Sequence, residues 1–169
     1  EQPAEAPVRV SAEALWAVCP SCKAYIEKEV WRKADKVCPR CNYHGRLSCR
    51  ERVALLTDAG SFKEINARVS FNDPLRFRDA SGSYADKAKA TVAKTGEGEA
   101  VLTGTAEIEK IPVVLGVMDF KFLGGSLGSG TGERILLAAE KAVALKRPLI
   151  IASASGGARM HEGIVSLMQ

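Results

Sequence analysis

The chain has 169 residues, a mass of 18.1 kDa, 46% apolar and 26% charged residues, and a net charge of +4. That is enough for one ordinary domain, or for a small module beside one, and too little for a large multidomain enzyme. A mean hydropathy of −0.05 excludes a disordered or fibrous chain, and the longest apolar runs, such as 148–154, fall far short of the roughly 18–20 residues of a membrane-spanning helix.

Residues 1–14 begin EQPAEAPVRV, contain no hydrophobic signal core, and read as a flexible lead-in. All five cysteines lie before residue 50, and four of them form Cys19-Pro-Ser-Cys22 and Cys38-Pro-Arg-Cys41 with fifteen residues between the pairs. C-x2-C-x15-C-x2-C is zinc-site spacing, because each tight turn aims two sulfurs at one point and two such turns complete a tetrahedral sulfur cage. A pair of disulfides or a redox C-x-x-C is the alternative, though no thioredoxin-like unit follows. Four thiolates leave no open coordination position, so the expected Zn2+ is structural and nearby His44 and Cys49 are bystanders. Between the pairs, Tyr25, Ile26, Val30 and Trp31 alternate in a way that predicts a short hairpin. Residues 15–47 then form a zinc ribbon, too small to fold without its metal. Over 15–52, nine Lys or Arg stand against four acids, a formal +5 that Zn2+ on four thiolates reduces to +3. That surplus suits nucleic acid, an acidic protein or a phosphate-bearing substrate, or is simply a solvated face.

Next, Ser48-Cys49-Arg50-Glu51 has the form of a capping box, followed by apolar Val53, Leu55 and Leu56, and predicts a short helix to Asp58 that stops near Gly60. Residues 48–98 read as linker helices and loops: a turn-rich stretch over 71–82, then a Lys- and Ala-rich surface helix over 84–95. From 99 onward the period is that of strands. Strands are expected over 100–108 and 111–118 with a turn at Glu109-Lys110, then a helix over 132–146 with Ile135, Leu136, Ala139, Ala142 and Val143 inward, then a buried strand over 149–154. Strand, crossover helix and strand define an α/β unit.

Two glycine-rich turns sit at strand ends. The first, 124–132, has five glycines in nine residues before a helix, yet Gly132 is followed by Glu133-Arg134 instead of the Lys-Ser/Thr of a P-loop, and the dinucleotide fingerprint matches poorly. A loop that only permits close chain packing remains the alternative. The second, Ser155-Gly156-Gly157-Ala158-Arg159, can present backbone N–H groups to an oxygen that gains negative charge, an oxyanion-hole arrangement, although Gly-Gly pairs also serve purely as turns. No Ser/His/Asp set, acid pair or catalytic cysteine accompanies them. The chain reaches Gln169 just as an amphipathic segment begins, which suggests a fragment, a processed chain or one half of a larger fold.

Taken in order, the ribbon, SFKEI, NDPLRF, VVLGVMDFKFLGGSLGSGTGERI and SASGGARMHEGIVSLMQ closely resemble the beta subunits of bacterial- and plastid-type acetyl-coenzyme A carboxylase carboxyltransferase, from about Leu15 to Gln169. Leu123 and Leu127 stand where the family often carries Met, Gly130-Thr131 replace a more usual apolar pair, and the family's chain continues for about as many residues again. The resemblance implies a crotonase-like (ClpP/crotonase) ββα superhelix, of which 99–169 is the N-terminal half. It implies transfer of a carboxyl group from carboxybiotin to acetyl-CoA, giving malonyl-CoA. Biotin would arrive in trans on the biotin carboxyl carrier protein, charged by biotin carboxylase. The N–H groups of Gly156 and Gly157 would hold the thioester oxygen as it becomes an enolate, Gly124 and Gly125 would line the acyl-CoA channel, and Cys19, Cys22, Cys38 and Cys41 would hold zinc. Arg159, His161 and Glu162 would orient the turn or meet the partner. The implied assembly is an α2β2 heterotetramer with the alpha subunit, in the cytoplasm or a plastid stroma. The competing classes are a nucleic-acid-binding zinc-ribbon protein and a structural subunit that only caps a partner's site.

Overall fold

The computed structural model describes residues 15–169, so the expected lead-in at 1–14 lies outside the described residues. Two compact units divide between Leu47 and Ser48.

In the first unit, β1 (Trp16–Val18) pairs antiparallel with β2 (Tyr25–Glu27), with Ala17 opposite Ile26. The first cysteine pair is the turn of this hairpin: Cys19 N–H donates to the Ala24 carbonyl at 2.9 Å and Lys23 N–H to the Cys19 carbonyl at 3.0 Å. The second pair repeats the pattern, with Cys38 N–H on Tyr43 O at 2.8 Å and Asn42 N–H on Cys38 O at 2.9 Å. Lys23 and Asn42, each directly after the second cysteine of its pair, take left-handed φ values of 59° and 56°. The hairpin expected between the pairs is therefore a correction. The strand finds its partner upstream, and Lys28–Lys33 is a short helix, α1. Lys, Glu and Arg favour that conformation, and an exposed Glu29–Arg32 ion pair at 2.8 Å spans its turn. Ile26, Cys19 and Cys38 form the small buried core, with Trp31 and Cys22 packed against it.

The second unit is built on a four-stranded sheet in the order β3 (Lys63–Ile65), β6 (Val101–Ile108), β7 (Ile111–Met118), β8 (Leu149–Ala152). The first three are antiparallel neighbours, and β8 joins parallel to β7, with Val114 opposite Leu149. Helix α2 (Cys49–Leu56) starts at the expected capping box: Ser48 N–H donates to Glu51 Oε2 at 2.7 Å, and Glu51 N–H to Ser48 Oγ at 3.3 Å. It ends two residues before the expected stop, at Leu56. Cys49 and Val53 enter the main core with Leu102, Ala106, Val113, Leu115 and Val117. The Cys49 N–H also donates to Asp119 Oδ2 at 3.0 Å, tying the helix start to the end of β7. Two-residue strands β4 (Arg78–Asp79) and β5 (Gly82–Ser83) precede α3 (Tyr84–Thr95), which occupies the expected range.

Crossover helix α4 spans Ser129–Leu145, starting three residues before the expected position. Its inner face also differs from expectation. Ala142 is buried as expected, but Leu136 and Val143 are 53% and 79% exposed, and Arg134 and Ala138, in steps of four before Ala142, complete the buried stripe. The two alanines let the helix lie close on Val114, with Ile65 and Leu149 at the margin. Strand β8 ends at Ala152, two residues early, and, contrary to expectation, none of its residues is fully buried, Ile150 being 40% exposed. The chain then runs through the Gly-Gly turn into a 3-10 turn (Met160–Glu162) and α5 (Val165–Met168).

Candidate functional site

Four sulfurs meet in the first unit. The ligand atoms of Cys19, Cys22, Cys38 and Cys41 all lie within 4.8 Å of one another, with Cys19–Cys41 at 3.7 Å and Cys22–Cys38 at 3.8 Å. A disulfide needs about 2 Å between sulfurs, so these cysteines are unbridged. Tetrahedral bonds of about 2.3 Å to zinc would hold sulfurs about 3.8 Å apart, so the spacing fits that metal. The Tyr43 backbone N–H draws the Cys41 thiol down to about 6. Cys22, although the Ala24 N–H favours its thiolate, is pushed up to about 11 by desolvation and the neighbouring thiols. Among the described residues, neither His44 nor Cys49 joins the group. His44 bridges to Val37, and Cys49 is buried in the second unit, its thiol pushed up by burial and by Glu97 and Asp119.

In the second unit the two glycine turns lie at the carboxyl ends of the adjacent parallel strands β7 and β8, the usual ligand end of such strands. They touch: Gly156 N–H donates to Gly124 O at 2.9 Å, Leu127 N–H to Gly157 O at 2.8 Å, and Arg159 N–H to Leu127 O at 2.9 Å. Gly124 and Gly156, with Phe120, Leu123, Ala158 and Met160 among their neighbours, wall an open pocket of about 240 Å³. Gly157 sits at φ 117°, and its N–H donates to the exposed Ser155 Oγ at 3.0 Å. The two N–H groups expected as an oxyanion hole are thus differently held, one by backbone and one by a hydroxyl. Gly125 is buried instead of lining the pocket, because a Cβ there would stand 2.0 Å from the Ala154 carbonyl oxygen.

Beneath the turns lies an ionic cluster that the sequence reading does not contain. Arg159, Glu99 and Glu162 have no exposed side-chain surface. The Arg159 guanidinium donates to both Glu99 oxygens (3.0 Å to Oε2), to Ser126 O at 2.7 Å and Oγ at 3.1 Å, and to Tyr84 Oη at 3.2 Å. Glu162 accepts from Tyr84 Oη at 2.7 Å and from Ser129 N–H, at the start of α4, at 2.6 Å. Despite desolvation, the Glu99 hydrogen bonds and charge hold Arg159 firmly protonated. Burial first, then the Glu162 bond, keep Tyr84 a neutral phenol. The glycines of 124–132 serve this cluster by close approach: a Cβ at Gly128 would lie 2.6 Å from Arg159 Nη1, and one at Gly130 2.6 Å from Glu99 Oε2. Arg159 and Glu162, expected beside the turn, are interior groups and present no side chain to a partner. His161 stacks on Tyr84 with ring centroids 4.9 Å apart, and burial followed by the Lys87 charge lowers its pKa. The substitution Glu162→Ala would strand Arg159 beside one carboxylate. It is expected to cost about 3 kcal/mol or more, seen as a lower urea midpoint at unchanged slope.

Two glycine turns thus meet at the carboxyl ends of parallel strands, above a buried ion cluster and beside an open pocket. Residues 41–169 match the carboxyl transferase domain, and the chain belongs to that family. Its curated relatives are named acetyl-coenzyme A carboxylase carboxyl transferase subunit beta. The Thermus thermophilus protein is 48% identical over 92% of this chain and 54% of its own length, and that of Prochlorococcus marinus strain MIT 9303 is 43% identical over 94% and 54%. The chain thus spans about half the length of the relatives it matches. Among solved structures, transcarboxylase 12S with hydrolysed methylmalonyl-coenzyme A bound is similar at a TM-score of 0.60 and 31% identity, covering 73% of this chain and 22% of that one. The geranyl-CoA carboxylase beta subunit of Pseudomonas aeruginosa shares the fold at a TM-score of 0.53 and 22% identity, covering 83% and 23%.

Proposed function

We propose that this chain is the part of an acetyl-CoA carboxylase carboxyltransferase beta subunit that carries a zinc ribbon and the first half of a crotonase-like ββα domain. The observation that carries the reading is the meeting of the two glycine turns at the Gly156–Gly124 hydrogen bond, beside an open pocket in a chain of the carboxyl transferase family. Acetyl-CoA enters the pocket along Gly124, its thioester carbonyl facing the second turn. Carboxybiotin, brought by the carrier protein, supplies the carboxyl group and the ureido nitrogen that takes the α-proton. This chain contributes placement and charge stabilisation. The Gly157 N–H takes the thioester oxygen as it becomes an enolate, displacing Ser155 Oγ, and the Gly156 N–H joins by yielding its bond to Gly124 O. Breaking the bond between the carboxyl carbon and the ureido nitrogen would release CO2, that nitrogen would take the α-proton, and the enolate carbon would bond to CO2 to give malonyl-CoA, without a side-chain base from this chain. Cys19, Cys22, Cys38 and Cys41 hold a structural Zn2+, and the alpha subunit and biotin carboxylase complete the assembly.

The test is carboxylation of acetyl-CoA by the complete enzyme that contains this chain. Malonyl-CoA is expected, with Gly157→Val lowering the rate roughly a hundredfold or more by removing one donor's geometry at φ 117°. Absence of malonyl-CoA from the intact complex overturns the assignment. A Gly157→Val enzyme with full activity overturns the oxyanion role alone.

A further inference from the structure

Arg159 carries more connections than charge neutralisation requires. Its positive charge is already opposed by Glu99 and Glu162, yet Nε and Nη2 both reach to Ser126, at Oγ (3.1 Å) and at the backbone carbonyl (2.7 Å). Ser126 directly follows Gly125 in the first glycine turn, while Arg159 lies two residues after Gly157 in the second. The backbone already joins the turns through Gly156–Gly124 and Leu127–Gly157. Those bonds fix the turns at their outer lip, and the guanidinium clamps them from below. The clamp is anchored in turn: Glu99 precedes β6 and also accepts from Thr131 Oγ1 at 3.0 Å, inside the first turns of α4. Tyr84 begins α3, and Glu162 holds the Ser129 N–H.

We propose that Arg159 is a positioning residue for carboxyl transfer, fixing the separation of the Gly124–Gly125 turn from the Gly156–Gly157 turn and so the placement of the second turn's N–H groups beside the pocket. This rests on the carboxyl-transfer reading above. A planar guanidinium presents five N–H donors in a fixed fork, and here all three nitrogens are engaged, on acceptors of four residues, Ser126, Tyr84, Glu99 and Glu162. A lysine at 159 keeps the charge against Glu99 and Glu162. Its single ammonium cannot reach both carboxylates and the two Ser126 oxygens together. The turns would remain folded but lose their fixed spacing, and small misplacements of a stabilising donor are costly in rate.

The experiment compares wild type with Arg159→Lys in the complete enzyme, measuring kcat and KM for acetyl-CoA per folded molecule, with the urea midpoint recorded beside them. The expected result is a kcat lower by about ten- to hundredfold with KM for acetyl-CoA changed by less than about threefold. A wild-type kcat in Arg159→Lys overturns the proposal, as does a fall in activity that only tracks the fraction unfolded. Should Arg159→Lys fail to fold, Tyr84→Phe decides. It keeps the ring on His161 and removes only the hydroxyl between Arg159 and Glu162, so kcat is expected to fall severalfold at unchanged KM, and an unchanged kcat overturns the proposal. A wild-type complex that makes no malonyl-CoA defeats the functional reading instead, and the two failures are thereby distinguished.

Discussion

Cys38→Ser will abolish metal binding and leave residues 15–47 without a stable fold. Cys38 is fully buried and its sulfur lies 3.8 Å from that of Cys22, so any ion held by the cluster is bound through it. Serine has similar size, but its hydroxyl does not ionise near neutral pH and is a poor ligand for zinc. The remaining core is Ile26 with half-buried Trp31, worth about 1.5–3 kcal/mol for each side chain fully withdrawn from water. A structural zinc ion bound here would add about 10–16 kcal/mol, several times what that core supplies. Metal analysis is expected to fall from one ion per chain to none, and proteolysis to cut quickly within 15–47 while 48–169 resists. Cys49→Ser, outside the cluster, should keep the ion. A Cys38→Ser chain with full metal content, or with 15–47 still protected, would refute the zinc assignment.

What was legible in the sequence was local. The capping box at Ser48 and Glu51 needs only residues three apart, and it forms as read. The β6–β7 hairpin follows from two apolar runs around Glu109-Lys110, both at positive φ, which end and begin the strands at Ile108 and Ile111. The cysteine pattern gave the four sulfurs that meet. The sequence reading failed where partners are distant or small. Strand β2 pairs upstream of its own cysteine turn, which no alternation after Cys22 could reveal. The inner face of α4 is Arg134, Ala138 and Ala142, so choosing the largest apolar residues pointed Leu136 and Val143 the wrong way.

The ionic cluster was missed for the same reason, since Arg159 meets Glu99 and Tyr84 across 60 and 75 residues. One signal was present in the sequence. Arg159 closes the turn that follows the strand read as buried, and a charge taken from water must find a partner. Arg134 illustrates the rule without a carboxylate, donating to three backbone carbonyls, of Val69, Val101 and Ala67, at 2.7–3.1 Å. For Arg159 the partner is an acid, Glu99.

Gly125→Ala is expected to abolish most carboxyl transfer, whereas Gly124→Ala should be tolerated, although the two glycines are neighbours with almost the same backbone. Their φ values are 65° and 69°, so a side chain pays a similar conformational penalty of about 1–2 kcal/mol at either position. They differ in what a Cβ would meet. At Gly124 nothing lies within 4 Å, while at Gly125 the Cβ would fall 2.0 Å from Ala154 O and 3.1 Å from its carbonyl carbon. That obstacle is backbone, directly before Ser155 and the Gly-Gly turn, and it cannot rotate away. Relieving the overlap requires the turns to separate by more than an ångström, which pulls the Leu127 N–H from Gly157 O and draws Ser126 away from Arg159. Displacement on that scale at a stabilising donor is worth about a hundredfold in rate. The comparison of kcat for the two variants in the complete enzyme therefore isolates turn spacing from backbone strain. Equal losses in both would show that strain, or a methyl in the acyl-CoA path at Gly124, and not the meeting of the turns, governs the site. Full activity in Gly125→Ala would show that the pocket does not depend on their contact.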